Sequence, residues 1–485
     1  MSDSSLKSKT FKGLTWSLID NVAGSGITFI VGIILARLLS PTEFGIIGIV
    51  MIFISISNIF VDGGLSRALI RKIEVSNNDY STVFYTNILI SLLFILILQA
   101  SAKIIADFFN QDILIKIFPF ISFLLLINGL SIIHKTDLIR RIDFKTQAIA
   151  SLIASISSGV IGISLAVLGY GVWSLVWQLI SRYAFNTILL WILNKWRPTL
   201  IFSTQSFKEL FGFGSKLLIA DFINAAYKNI FNLLIGKVYK VEQLGLYDNA
   251  NRFNTILTNN LTSVIQKVSF PTLSSVQEDK KHLTSVFRKF TIYSALVSFP
   301  LILGLAAIAK PLILVLIGEQ WETAALYLQI LCFYGILYPL TNLNLNMLNV
   351  IGKSDKILKL ELIKKIFFIP IVFIGIYIGL LEMLWASVIY YYIEFIFNSW
   401  YSEKYFNYGT WKQFKDVFPI LLISCLISFG LWSISFVPMS NILILLSQVL
   451  IGILMYFICF EKIDLVEYKE IKAIIQKQFT AKQEF

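Results

Sequence analysis

Apolar segments of about 20 residues recur along the whole chain and are separated by short polar stretches. An α-helix rises about 1.5 Å per residue, so each segment matches the roughly 30 Å hydrocarbon core of a bilayer. The pattern therefore predicts an all-α integral membrane protein with about fourteen transmembrane helices. The predicted spans are residues 14–38, 43–64, 82–106, 113–133, 147–168, 170–193, 210–236, 246–268, 286–309, 324–348, 357–380, 383–402, 416–437 and 441–460.

Composition agrees with lipid as the solvent of this chain. Of its 485 residues, 56% are hydrophobic and 14% are charged, and the mean hydropathy is +0.76. Soluble domains are about 45–50% apolar and about 25% charged. The three cysteines, Cys332, Cys425 and Cys459, lie in apolar segments without metal-site spacing, and the two histidines lie beside basic loop residues. We therefore expect no disulfide framework, no metal site and no cofactor.

The distribution of Lys and Arg predicts the orientation in the membrane. Loops on the side of the N-terminus, together with the adjoining span ends, hold 28 of these residues, whereas the opposite loops and span ends hold six. Because cytoplasmic loops are enriched in Lys and Arg, both termini are predicted to be cytoplasmic. This bias accounts for most of the net charge of +12, so no nucleic-acid partner is needed. Residues 464–482 fit either an interfacial helix or a solvated tail, and the polar N-terminus is expected to be a retained cytoplasmic tail.

An internal repeat divides the predicted spans into two sets. At an offset of 200 residues, Arg37 aligns with Lys237 and Gly45 with Gly245, and later in each half the offset becomes 212. Six spans per repeat is an even number, so both copies begin in the cytoplasm and the repeats are parallel. Two six-helix bundles of this kind are expected to enclose a central cavity, as in transporters built from repeats. The predicted domains are residues 1–200 and 201–410 for the two bundles, 411–460 for two additional helices and 461–485 for a cytoplasmic tail.

Polar and charged side chains recur at helical spacing on the first, second, seventh and eighth spans. A charge at mid-bilayer costs about 2.5–3.5 kcal/mol on insertion scales, so these groups should face a watery cavity or pair with one another. The alternative is that they hold helices together by hydrogen bonds. The predicted cavity residues are Asp20, Asp62, Arg67, Asp221, Lys228, Arg252 and Asn259, and the predicted outer-mouth residues are Arg37 and Lys237.

The cations in this set favour an anionic cargo, because Arg and Lys bind phosphate groups well. Arg67, Arg71 and Lys72 would flank the inner mouth, although the same residues are explained by the cytoplasmic excess of positive charge. In the eleventh span, Glu361 and Lys365 are four residues apart and could form an intrahelical pair.

Three runs of residues carry a family resemblance. They are ARLLSPTEFG at 36–45, DGGLSRALI at 62–70 and GLYDNA at 245–250. Together they resemble the Wzx-type polysaccharide flippases of the polysaccharide transporter family, in the superfamily that also includes multidrug exporters and the lipid II flippase. The resemblance extends over nearly the whole chain.

The resemblance implies a bacterial inner-membrane protein that moves an undecaprenyl-pyrophosphate-linked oligosaccharide to the outer leaflet by alternating access. Such a protein would serve O-antigen, capsule, teichuronic acid or exopolysaccharide assembly, alongside a polymerase and glycosyltransferases. The chain lacks the phosphate-binding motif GxxxxGK[ST], so ATP hydrolysis and enzymatic activity are not expected. Transport could use the membrane potential or a proton or sodium gradient, with Asp20, Asp62 and Asp221 as the suspected ion-binding carboxylates.

Three other functions remain open on the sequence alone. A drug or cation antiporter would share the fold, but cations on the presumed cavity faces disfavour a cationic cargo. A membrane glycan polymerase or glycosyltransferase would need catalytic groups on a sizeable loop, and the longest predicted outer loop is about 14 residues. A non-transporting scaffold for glycan assembly would not require charge within the spans.

Overall fold

The structure is a computed structural model that describes residue 16, residues 23–462 and residues 467–470. All secondary structure in these ranges is helical. Asp20 and most of the predicted tail segment at 464–482 lie outside the described residues. The helices are α1 (Ala23–Leu38), α2 (Pro41–Asp62), α3 (Leu65–Arg71), α4 (Asn77–Phe109), α5 (Ile113–Ile121), α6 (Phe123–Arg140), α7 (Phe144–Val167), α8 (Val172–Leu193), α9 (Thr204–Val238), α10 (Val241–Ser275), α11 (Lys280–Leu316), α12 (Glu322–Gly335), α13 (Tyr338–Val350), α14 (Ser354–Tyr377), α15 (Leu380–Phe406), α16 (Thr410–Ser433) and α17 (Asn441–Lys462).

The prediction of a multi-span helical membrane protein is confirmed. Each of the fourteen predicted spans overlaps a helix or a pair of consecutive helices. Within the described ranges, nine helical segments are long and apolar enough to cross a membrane by length and composition alone. The remaining predicted spans coincide with α1, α8, α9, α10 and α14, and most of these helices carry charged or amide side chains along their length.

The corner before α2 illustrates how local sequence sets a helix start. Ser40 is the N-cap of α2, and its hydroxyl accepts a hydrogen bond from the backbone N–H of Glu43. The Glu43 carboxylate in turn accepts from the backbone N–H of Ser40 at 2.6 Å, which completes a capping box. Pro41 occupies the first helical position, where its missing N–H is not needed.

Two predicted spans consist of two helices each. The span predicted at 113–133 divides at Ser122, three residues after Pro119, into α5 and α6. The span predicted at 324–348 divides between Gly335 and Tyr338 into α12 and α13. Hydropathy alone does not reveal these breaks, because the residues on both sides are apolar.

The C-terminal end of α6 differs from the sequence-based prediction. The predicted span ended at residue 133, which left His134 and Lys135 near the loop, whereas α6 continues to Arg140. His134 is fully buried, and its ring lies 4.7 Å from the ring of Trp191. The helix continues because its last turns pack against α8 and are covered by aromatic side chains, a tertiary effect that hydropathy does not report.

The chain divides between Asp248 and Asn249 into two compact units. In the N-terminal unit, α7 packs along α8, α4 packs against α6, and α9 packs against α2, α3 and α4. In the C-terminal unit, α11 packs against α12, α16 and α17, and α14 packs against α15. The domain boundaries predicted near residues 200 and 410 stay predictions. They were drawn from the alignment of the sequence repeat, whereas the division at Asp248 reflects the compactness of each unit.

The starts of α2 and α10 pack against each other within the N-terminal unit in a reciprocal manner. A Cβ added to Gly45 would collide with the carbonyl oxygen of Val241, and one added to Gly245 would collide with the carbonyl oxygen of Pro41. These four positions pair at the sequence offset of 200. Each corner therefore needs glycine at the same place, since only glycine allows the two backbones to approach this closely.

Candidate functional site

The turn between α2 and α3 positions the first group of predicted site residues. Gly63 and Gly64 have φ values of +57° and +70°, a left-handed conformation that glycine adopts without steric cost. Glycine is also required for packing, because a Cβ on Gly64 would collide with the carbonyl oxygen of Gly214 in α9. The turn consequently brings Asp62 and Arg67 to the side of α9 that carries Asp221.

Asp62, Arg67 and Asp221 form one polar group in the N-terminal unit. Arg67 donates to the carboxylate of Asp221, and the two side chains are 47% and 38% exposed. Ser66 donates to the Asp62 carboxylate, which also lies in the field of the Arg67 and Asp221 charges. Each of these three residues was predicted as a cavity residue from its sequence spacing, and the structure places them near one another. The positive charge of Arg67 therefore partly balances the two carboxylates.

A second ionic group lies at the loop that follows α3. The ammonium of Lys72 is 3.2 Å from a carboxylate oxygen of Asp79 and 2.9 Å from one of Glu209. The hydrogen bond to Glu209 is the main influence that raises the pKa of Lys72. Arg140 donates to the carbonyl oxygen of Lys72 at 2.6 Å. These contacts tie the loop to α4, α6 and α9, so Lys72 acts here as a structural cation.

Amide and hydroxyl groups continue this polar surface along α2 and α9. Asn229 donates to the hydroxyl of Ser55 at 3.3 Å, and Asn232 donates to the carboxylate of Asp248 at 2.9 Å. Lys228 is exposed and has no ion pair within the part of the chain that the structure describes. It remains the candidate with the clearest means to bind an anion.

The predicted outer-mouth residues lie at equivalent helix ends. Arg37 is exposed near the end of α1 and has an interaction partner of its own. Lys237 is exposed near the end of α9, donates to the carbonyl oxygen of Phe108 at 2.6 Å and lies 4.4 Å from the centre of its ring. Lys237 is therefore anchored on α4 by a hydrogen bond and by contact with an aromatic ring.

In the C-terminal unit, Arg252 is partly buried and engaged with another group, while Asn259 is exposed on the same helix. A buried ion cluster of this unit lies on two other helices, α14 and α15. Lys364 of α14, whose side chain is 3% exposed, binds a carboxylate oxygen of Glu394 in α15 at 2.7 Å and also pairs with Glu361. The sequence suggested that Glu361 could pair with Lys365, and the structure shows Glu361 in an ion pair with the preceding lysine, Lys364.

Sequence reasoning missed further polar residues inside the N-terminal unit. Lys135 of α6 and Arg182 of α8 line one cavity of about 410 Å³ together with polar side chains of α7 and α8. Arg182 stands at the middle of α8, which could have identified it from the sequence, since cations at the centre of a span are rare. Lys135 could not have been found this way, because it was assigned to the cytoplasmic loop.

The comparisons with known proteins agree on the class of protein. The model of a family described as polysaccharide biosynthesis protein matches residues 34–326. The teichuronic acid biosynthesis protein TuaB of Bacillus subtilis is 25% identical over 437 residues, which cover 88% of this chain and 89% of that protein. The succinoglycan biosynthesis transport protein ExoT of Rhizobium meliloti is 27% identical over 329 residues, covering 68% of this chain and 67% of that protein.

Among solved structures, the lipid II flippase MurJ in an inward closed conformation is similar to this chain with a TM-score of 0.72. The match covers 92% of this chain and 97% of that one at 18% sequence identity. At this identity the likeness establishes the fold: the chain is a multi-pass membrane protein with the architecture of that flippase.

Proposed function

The chain belongs to the family of polysaccharide biosynthesis proteins, and from that membership we propose that it is a flippase for a lipid-linked oligosaccharide. The observation that carries the proposal is the family match over residues 34–326, a range that includes α2 to α11. The cargo would be an oligosaccharide on undecaprenyl pyrophosphate, moved from the cytoplasmic to the outer leaflet of a bacterial inner membrane. Both termini would be cytoplasmic.

The names of the relatives support this cargo class. One is named for teichuronic acid biosynthesis and another for transport in succinoglycan biosynthesis. The glycans differ between these proteins, whereas a polyprenyl carrier with its pyrophosphate would be common to such pathways. Cargo recognition is therefore proposed to rest on the anionic carrier, with Lys228 and Arg252 as its cationic contacts.

The membrane potential could contribute to transport in the outward direction. With the interior negative, outward movement of each negative charge is favoured by about 2.3 kcal/mol per 100 mV. We propose that Asp20, Asp62 and Asp221 add ion coupling. Of these, Asp62 and Asp221 lie in one polar group with Arg67, where uptake of a cation would compete with the existing ion pair.

No covalent chemistry is assigned to the chain. The relatives are named for biosynthesis and transport, and the proposed role is to deliver the lipid-linked unit to a polymerase after glycosyltransferases have assembled it. The segment between α11 and α12, predicted as the longest outer loop, is reduced to residues 317–321 by the length of the two helices. It offers little room for a catalytic loop.

The proposal is tested in the native bacterium by deletion of the gene and complementation. We expect lipid-linked oligosaccharide to accumulate in the cytoplasmic leaflet and surface glycan to be lost, with rescue by the wild-type chain. Lys216→Ala, on the same helix as Lys228 and exposed, should rescue fully, whereas the double variant Lys228→Ala, Arg252→Ala should rescue poorly. Unchanged surface glycan combined with loss of export of a cationic dye would favour a drug antiporter instead.

A further inference from the structure

A cavity inside the N-terminal unit has a lining that the proposed cargo pathway does not explain. It lies among α2, α6, α7 and α8 and has a volume of about 410 Å³, within the usual range of small-molecule sites. Its polar lining comes from three helices: Lys135 of α6, Gln147 and Ser151 of α7, and Arg182, Tyr183 and Asn186 of α8.

Two cationic side chains, Lys135 and Arg182, line this cavity. The charge of Arg182 acts on Lys135, so the two groups are close enough to repel each other. Neither residue takes part in an ion pair among the described residues. Like charges withdrawn from water are costly without a compensating anion.

The acidic groups carried by the four surrounding helices are already engaged elsewhere. Asp137 of α6 lies 2.8 Å from a guanidinium nitrogen of Arg141, and Asp143 caps the start of α7 by accepting from the backbone N–H of Thr146. Glu43 completes the capping box at the start of α2, and Asp62 accepts from Ser66 at its end. None of these carboxylates is left to neutralise the pair.

The remaining polar groups of the cavity complement an oxyanion. A guanidinium presents a planar set of N–H donors that matches carboxylate or phosphate, and an ammonium adds a second charge. Tyr183, Ser151 and Asn186 supply further donors. The side-chain oxygen of Gln147 is buried and has no hydrogen-bond partner among the described residues, so it could accept from a hydroxyl of the bound molecule.

We propose that Lys135 and Arg182 form a binding site for a phosphate or carboxylate group in the cavity among α2, α6, α7 and α8. The oxyanion could belong to a free phosphate, to an anionic lipid headgroup or to an acidic sugar, and the shared chemistry is a delocalised negative charge. The proposal stands on the cavity itself and does not depend on the cargo proposed above.

The direct test is equilibrium binding of inorganic pyrophosphate to the full chain in non-ionic detergent at low salt, by titration calorimetry. We expect saturable binding that weakens by about tenfold or more with Lys135→Gln or with Arg182→Gln, since each removes a charge-assisted contact. The double variant should lose binding. The control variant Lys103→Gln, an exposed cation of α4 outside the cavity, should bind like the wild type.

Two further titrations separate the sources of the oxyanion. Glucuronate tests a sugar carboxylate, and nanodiscs of phosphatidylglycerol against phosphatidylcholine test a lipid headgroup. Binding of any of these probes that depends on both cations supports the site and names its source. If every probe fails to bind, or binds equally to wild type and double variant, the proposal is overturned.

Folding is checked independently of binding. Because the double variant Lys135→Gln, Arg182→Gln removes two half-buried charges that repel each other, its thermal unfolding midpoint without anion should equal or exceed that of the wild type. A lower midpoint would show that the cations already have a partner and would overturn the proposal.

A separate variant, Asp20→Asn, tests whether Asp20, which lies outside the described residues, already occupies the site. If pyrophosphate binds this variant and not the wild type, an internal carboxylate occupies the site and the proposal fails.

Discussion

At the residue scale, Lys364 shows how this membrane protein holds a charge away from water. Its ammonium lies between Glu361 and Glu394, and only 3% of the side chain is exposed. Two carboxylates on one ammonium leave a net negative charge when all three are ionised. Such a cluster is stable only while each member keeps its partner, because an uncompensated buried charge is far costlier than a neutral group.

We expect Lys364→Met to destabilise the C-terminal unit by about 3–5 kcal/mol, the cost of breaking a buried ion pair by removal of one partner. The control is Lys359→Met, an exposed lysine on the same helix, which should change stability little. Thermal unfolding in detergent measures both. The double variant Lys364→Met, Glu394→Gln should recover part of the loss, and an unchanged midpoint in Lys364→Met would contradict a buried ion pair.

Loss of the Arg67–Asp221 ion pair should cost less stability than loss of the buried Lys364 cluster, because the two side chains of this pair are 47% and 38% exposed. Water screens such a pair, so Arg67→Ala is expected to cost less than about 1 kcal/mol of stability. A double-mutant cycle with Asp221→Ala measures the coupling between the two groups. A coupling of several kcal/mol would mean that this pair is shielded from water in the membrane.

Sequence spacing identified some of the charged residues that lie within the helices and missed others, and each outcome has a physical reason. Asp62, Arg67 and Asp221 were found because they fall on the polar faces of helices, and the structure brings them together. Arg182 was missed because polar faces were identified on the first, second, seventh and eighth spans, and Arg182 lies on the sixth. Glu394 was missed because its partner Lys364 is 30 residues away in the chain, and hydropathy carries no information on which helices become neighbours.

At the element scale, the contact between the α2–α3 turn and α9 depends on glycines, which have no side chain to separate the two backbones. A Cβ on Gly214 would lie 2.9 Å from the carbonyl oxygen of Gly63. Two residues earlier in the same helix, Gly212 has open space around its Cβ position. The two glycines therefore differ in packing while they share a helix and a residue type.

We expect Gly214→Ala to destabilise the N-terminal unit by about 1–3 kcal/mol, the usual cost of forcing extra atoms into a packed contact. Gly212→Ala should be neutral or stabilise by up to about 1 kcal/mol, since alanine favours a helix interior. Thermal unfolding of the two variants provides the comparison. Equal midpoints would show that α9 can move away from the turn without cost.

The positions of the helical segments could be predicted from the sequence, because the bilayer imposes a length on every apolar segment. The breaks at Ser122 and between Gly335 and Tyr338 could not, since they interrupt segments that remain apolar on both sides. The extension of α6 past residue 133 was also missed. It depends on burial of His134 against aromatic rings that are distant in sequence.

At the scale of the whole molecule, the proposed ion coupling makes a prediction about the driving force. If Asp20, Asp62 and Asp221 bind a proton or sodium, changing all three to Asn should abolish the dependence of transport on the ion gradient. A response to the membrane potential should remain, because it acts on the charge of the cargo. Transport by the triple variant that still follows the ion gradient would rule out these carboxylates as the coupling site.

The central claim concerns movement of a lipid-linked glycan between leaflets, and translocation in proteoliposomes measures it most directly. A fluorescent undecaprenyl-pyrophosphate oligosaccharide is followed by its accessibility to an impermeant quencher. We expect the purified chain to expose the inner-leaflet pool, Lys216→Ala to match it, and the double variant Lys228→Ala, Arg252→Ala to be slower by about tenfold or more, as expected for lost charge-assisted contacts. If the accessible fraction equals that of protein-free liposomes under every ion gradient and potential, the chain is not a flippase for this class of cargo.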